Sequence, residues 1–164
     1  MVAMLALLVL AQAPVVVSDL DTLRRAAASA RPGTTIQIAS GEYVGGVFLS
    51  DLHGAPGRPI LIAARDPKDP PRFRGGSGVH LSKVSHLTLR DLHIQNVGAN
   101  GLNIDDGGAR TQPSRDIVLE RITVSDTPRG NNDGIKLSGL RGFRVTGCTV
   151  QRWGGSAIDM VGCH

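Results

Sequence analysis

The sequence predicts an all-β solenoid, a right-handed parallel β-helix with one N-terminal capping helix, and three observations predict it. First, a short motif recurs four times: Gly78-Val79-His80-Leu81, Gly101-Leu102-Asn103-Ile104, Gly134-Ile135-Lys136-Leu137 and Ala157-Ile158-Asp159-Met160, at steps of 23, 33 and 23 residues. Second, a longer element recurs between these motifs, running from His86 to Ile94, from Asp116 to Val124 and from Gly142 to Val150. Its apolar positions align as Leu87, Ile117 and Phe143, then Leu89, Leu119 and Val145, then Leu92, Ile122 and Cys148, then Ile94, Val124 and Val150. Third, a single helical pattern is followed only by apolar runs of three to five residues set between Gly, Pro, Asn and Asp. A helix-free unit of this length cannot bury its own apolar face, so successive units must stack. The Leu-x-x-Leu-x-Leu-x-x-Asn pattern of leucine-rich repeats, which have a similar period, is missing from these units.

The elements follow in order. Residues 1–13, ending Ala11-Gln12-Ala13, read as a signal peptide: an apolar stretch and a small-X-small cleavage pattern, although no Lys or Arg precedes them. The expected location is therefore secreted or periplasmic. Val15-Val16-Val17 suits a short strand. Leu20, Leu23, Ala26, Ala27 and Ala30 recur at helical spacing, with Ser18 or Asp19 as cap and Pro32-Gly33 as terminator, which predicts a helix over about 19–30. Laid across the first coil, it covers the open edge of the stacked sheet. Residues 14–33 thus form the N-terminal cap and 34–164 the coils, starting with Ile36-Gln37-Ile38, Val47-Phe48-Leu49 and Ile60-Leu61-Ile62. In the longer element the alternation changes phase at a middle pair, as at a bend between strands sharing one core. His164 lies four residues past Met160, in mid-coil, and the expectation is a domain incomplete at its C-terminus.

Composition narrows the function. At 164 residues the chain suits one core; 21 Gly and 9 Pro without a Gly-X-Y period exclude collagen, and the abundant aliphatics exclude a disordered tail. No apolar run is long and unbroken enough for a membrane span. The net charge is +4, but the 18 Lys and Arg are dispersed and aromatic residues do not interleave with them as stacking platforms would, which argues against nucleic acid. A diffuse basic surface suits an acidic polysaccharide. Cys148 and Cys163 form neither a disulfide framework nor a metal pattern, and Cys148 falls at an apolar strand position. The oligomeric state is not specified.

If Val79 and Leu81 point inward, His80 points outward, and the same alternation makes a column of His80, Asn103, Lys136 and Asp159, about 4.8 Å apart. Asp105 and Ser138 lie on the same face. Lysine is rare, three residues against fifteen arginines, yet Lys136 sits mid-strand in this column beside the loop Arg129-Gly130-Asn131-Asn132-Asp133. The longer loops 106–115 and 127–133 account for the long second step and flank the same face. Such a column is also what any solvated ladder shows. Trp153, beside Gly154-Gly155, suits either stacking on a sugar ring or filling a corner.

Ala-Arg-Pro-Gly-Thr-Thr-Ile at 30–36, Gly41-Glu42-Tyr43, Gly57-Arg58-Pro59-Ile60-Leu61-Ile62-Ala63-Ala64, Phe73-Arg74-Gly75-Gly76-Ser77 and His86-Leu87-Thr88-Leu89-Arg90-Asp91-Leu92 resemble the cap and first coils of chondroitinase-B and alginate-lyase-type polysaccharide lyases. That resemblance implies β-elimination on a uronic-acid polymer: a Lys takes the C5 proton, an Arg assists, and Ca²⁺ held by Asn and acidic side chains neutralises the carboxylate. Carried onto this sequence, Lys136 is the base, with a pKa lowered by the nearby cation. Asn103, Asp105, Asp133 and Asp159 are the candidate Ca²⁺ ligands. His80, Asn103, Arg129 and Trp153 are the candidate substrate contacts. Two other readings stay open. Asn132-Asp133-Gly134-Ile135 is similar to the Asn-Thr-Asp-Gly-Ile stretch of polygalacturonases, hydrolases that use paired carboxylates, although Asp133 also suits a turn before a strand. The third is a non-catalytic glycan-binding or surface β-helix.

Overall fold

The strands close into about five turns of a parallel β-solenoid. The computed structural model describes residues 12–109 and 111–164. All but the last two residues of the expected signal peptide lie outside the described residues. No helix among the described residues is long and apolar enough to cross a membrane.

Three sheets build the solenoid. The first contains β1 (Val15–Val17), β2 (Thr35–Ile38), β5 (Ile60–Ala64), β8 (Ser85–Arg90), β11 (Ser114–Glu120) and β14 (Leu140–Thr146). The second contains β3 (Glu42–Val44), β6 (Arg72–Arg74), β9 (His93–Gln95), β12 (Thr123–Ser125) and β15 (Thr149–Gln151). The third contains β4 (Val47–Ser50), β7 (Val79–Ser82), β10 (Leu102–Asp105), β13 (Ile135–Ser138) and β16 (Ile158–Val161). Every pairing between these strands is parallel.

The register is the one the repeats predict. Val79, Leu102, Ile135 and Ile158 are successive partners on the third sheet. Leu87, Ile117 and Phe143 are successive partners on the first, and Ile94, Val124 and Val150 on the second. One side of each strand therefore faces a common interior, where Leu81, Leu102, Ile104, Ile135 and Leu137 are fully buried. Removal of one such side chain from water is worth about 1.5–3 kcal/mol, so register and core enforce each other.

The phase change in the longer element is a corner. Asp91, Arg121 and Gly147 occupy equivalent places at φ of 56°, 52° and 63°. An αL residue turns the chain there from the first sheet into the second. Arg121 donates Nε to Asp91 Oδ1 at 2.7 Å and Nη2 to Oδ2 at 2.9 Å. That bidentate pair ties two coils together at the bend.

The helix α1 (Leu20–Ala28) begins at Asp19, whose side chain accepts from the Thr22 amide at 2.7 Å while the Asp19 amide donates back to Thr22 Oγ1 at 3.2 Å. This reciprocal box satisfies donors that the first turn leaves open. Leu23 and Ala27 are buried against the first coils, so the helix caps the core as expected. At the other end the inward positions of the last coil are uncovered: Ile158 is 39% and Met160 57% exposed.

Candidate functional site

The column predicted from alternation exists, and it is longer than the repeats suggested. Phe48, His80, Asn103, Lys136 and Asp159 are successive register partners across β4, β7, β10, β13 and β16. Phe48 is 55% exposed and meets His80 edge-on, with ring centroids 4.9 Å apart. It was missed in the sequence because the repeat is weak in that coil, although Val47-Phe48-Leu49 shows the same alternation as Val79-His80-Leu81.

The polar residues fall into two clusters. In the first, Asp105 receives four donors: His80 Nε2 lies 2.6 Å from Oδ2, Ser82 Oγ donates to Oδ1 at 2.6 Å, the Gly107 amide to Oδ1 at 2.8 Å, and Asn103 Nδ2 reaches Oδ2 at 3.4 Å. Burial pushes the Asp105 carboxyl up, but the Ser82, His80 and Gly107 hydrogen bonds outweigh it and hold the group below the usual carboxylate range. Ser82, the register partner of Asp105 on the same face, is buried and spends its hydroxyl on one of these bonds. Asn103 Oδ1 is buried with no hydrogen-bond partner, the only such side-chain atom among the described residues. It is an open acceptor on the strand beside that of Lys136.

In the second cluster the Lys136 ammonium donates to Asp159 Oδ2 at 2.5 Å and to Asp133 Oδ2 at 3.3 Å. Asp133 is 2% exposed and serves structure as well: its Oδ1 accepts the Ser156 amide at 2.8 Å, and its own amide donates to Asn100 Oδ1 at 2.7 Å. It is thus both the residue before a strand and a clamp between coils. The Asp159 hydrogen bond, joined by that of Asp133, raises the Lys136 pKa above the ordinary lysine value against the opposing effect of burial. This is a correction in sign. The family chemistry implies a lysine made less basic by a cation, and here its neighbours are two carboxylates.

Of the oxygens expected to ligate Ca²⁺, Asn103 Oδ1 is open, whereas the carboxylate oxygens are engaged. Those of Asp105 are occupied by four donors, and Asp133 and Asp159 already enclose the Lys136 ammonium. No group of three or more His, Cys, Asp or Glu side chains able to hold a metal occurs among the described residues. Three carboxylates (Asp105, Asp133, Asp159) against one ammonium leave the ladder at formal charge −2 with His80 neutral.

Arg129 and Trp153 are not rungs of the ladder. They lie in the segments that lead into β13 and β16, at one rim of the third sheet. Gly154 packs so tightly there that a Cβ would stand 1.8 Å from the Pro128 carbonyl oxygen, which brings the chain beside Trp153 against Pro128 and Arg129. Both Arg129 and Trp153 are exposed. The loop 106–113 leaves the opposite rim, so the two longer loops flank the ladder from both sides.

No protein family matches the chain in sequence, and no curated protein does. Among solved structures the fold is similar to that of an alginate lyase from Paenibacillus sp. str. FPU-7, with a TM-score of 0.59 over 92% of this chain at 18% identity. The chain covers 63% of the length of that lyase. At this identity the likeness establishes the parallel β-helix and nothing finer.

Proposed function

We propose that the chain is an exported β-helix that holds an acidic, uronic-acid polysaccharide across the ladder of the third sheet and cleaves it there by β-elimination. The observation that carries this reading is the ladder itself: an in-register column that contains Lys136, flanked by hydrogen-bonding side chains and by the exposed rings of Phe48 and Trp153, on a solenoid similar to that of an alginate lyase. His80, Asn103 and Asp159 meet sugar hydroxyls, the aromatic rings stack on pyranose faces, and Arg129 at the rim meets a carboxylate.

Lys136 takes the C5 proton of a bound uronate. The C5–H electron pair becomes the C4=C5 double bond, the glycosidic oxygen leaves C4, and that oxygen takes a proton from solvent. Because Asp159 and Asp133 keep Lys136 charged at neutral pH, elimination speeds up with pH into the alkaline range, where the amine becomes free. No step is assigned to calcium. A hydrolase of paired carboxylates has less support, since Asp133 commits both oxygens to Ser156 and Lys136.

The test is incubation with alginate, chondroitin and polygalacturonate. An unsaturated-uronate ultraviolet signal that rises with pH and is lost in Lys136→Met supports elimination by this lysine. New reducing ends without that signal mean hydrolysis. Retention of polymer without turnover means a glycan-binding protein.

A further inference from the structure

The ladder carries net negative charge, so the carboxylates of a polyuronate need another place to lie. The structure offers one at the corner where the third sheet turns into the first. A groove of about 540 Å³ is walled on one side by Ala109 and Thr111–Pro113 of the loop 106–113. Lys83, Arg115 and Arg141 line it, together with His53, whose Nδ1 lies 3.1 Å from Ser85 Oγ. Asp51 is the only carboxylate in the lining.

The three cations come from successive coils. Lys83 turns the corner between β7 and β8 at φ 55°, while Ser85, Arg115 and Arg141 are register partners on β8, β11 and β14. Arg115 and Arg141 therefore stand one coil apart, about 4.8 Å along the axis, and repel each other. Elsewhere among the described residues Arg24, Arg72, Arg74, Arg90, Arg121 and Arg152 are each paired with a carboxylate, while Arg25, Arg31, Arg58, Arg65, Arg129 and Arg144 are not, so what sets the groove apart is that three cations without an ion pair line one cavity. Lys83, Arg115 and Arg141 make no ion pair among the described residues. A row of three like charges with no ion pair and a single carboxylate, Asp51, in the same lining matches a ligand with anionic groups repeating at the coil spacing. An extended polyuronate is such a ligand, since it presents one carboxylate per sugar and each sugar advances by a length comparable to one coil.

We propose that this corner groove is an anion-binding subsite that takes consecutive carboxylates of an extended polyuronate through Lys83, Arg115 and Arg141, while the sugar rings lie toward the ladder. This rests on the polysaccharide reading above and adds to it where the charge of the polymer is matched.

The test titrates the full chain with a short oligouronate at low salt, following affinity by calorimetry and backbone amides by NMR. Wild type should show shifts at Ser85 and Gln112 as well as at His80 and Asn103. Arg115→Gln/Arg141→Gln should lose about tenfold in affinity and much of the salt dependence, at unchanged or higher thermal stability. The charge-conserving Arg115→Lys/Arg141→Lys should keep most of the affinity, and Lys83→Gln provides a separate single-site reading. Unchanged affinity in the Gln variants, or wild-type shifts confined to the ladder, would overturn the groove while leaving the polysaccharide reading intact. Shifts confined to the groove would support it and overturn the ladder as binding face. Absence of any shift would overturn both.

Discussion

The ladder and the corner groove sit side by side on the same coils and treat charge in opposite ways. On the ladder every ionised group is engaged: Asp105 by four donors, and Lys136 by Asp133 and Asp159. In the groove Lys83, Arg115 and Arg141 gather without a carboxylate partner among the described residues. A matched charge that is partly buried supports the fold as well as the site, because removing one partner strands the other. An unmatched one at the surface weakens the fold slightly and is free for a ligand. Mutations should therefore separate stability from binding along this line.

The largest expected effect is at Asp133. Asp133→Ala removes the acceptor for the Ser156 amide and one partner of Lys136, and should cost about 3 kcal/mol in denaturant unfolding. A loss under about 1 kcal/mol would place Asp133 with the surface charges. Next comes Lys136→Met, which leaves Asp133 charged and buried; it should cost about 1–3 kcal/mol and abolish elimination, so a stable variant with full turnover contradicts both of its roles.

The two ladder clusters should also respond to opposite ends of the pH scale. The folded-state pKa of Asp105 is depressed, so its contribution is present above the unfolded value and is lost as pH falls through the folded one, in a window below pH about 4. For Lys136 the folded-state pKa is raised, so its contribution is present below the unfolded value and is lost as pH rises through the folded one, above pH about 10. In urea midpoints measured against pH, Asp105→Asn should flatten the acid limb and Lys136→Met the alkaline limb; a variant that flattened the opposite limb would break the assignment. The smallest effect is in the groove. Arg141→Gln should raise stability at low salt by a few tenths of a kcal/mol, and the gain should vanish at high salt.

How much of this was legible in the sequence depended on whether a property is carried by alternation along one strand or by meeting across strands. Inward Val79, Leu102 and Ile135 and outward His80, Asn103 and Lys136 were readable because period-2 alternation and a common repeat fix both face and register. Helix α1 was readable from its cap and apolar spacing, with ends within two residues of Leu20–Ala28. The sign of the Lys136 environment was not, because Asp133 enters from a loop and Asp159 from the next coil, and the resemblance makes both ligands of a cation rather than partners of the lysine. The groove was hidden for a related reason: Lys83 belongs to a corner and Arg115 and Arg141 to strand starts. Extending the alignment of the longer element two residues before Leu87, Ile117 and Phe143 would have stacked Ser85, Arg115 and Arg141.

The most direct test is a crystal structure of the protein grown with a short oligouronate. The account predicts sugar density running along the column from Phe48 to Asp159, with carboxylates turned toward Arg115 and Arg141. Density on the outer face of the first or second sheet, with the third sheet bare, would contradict it.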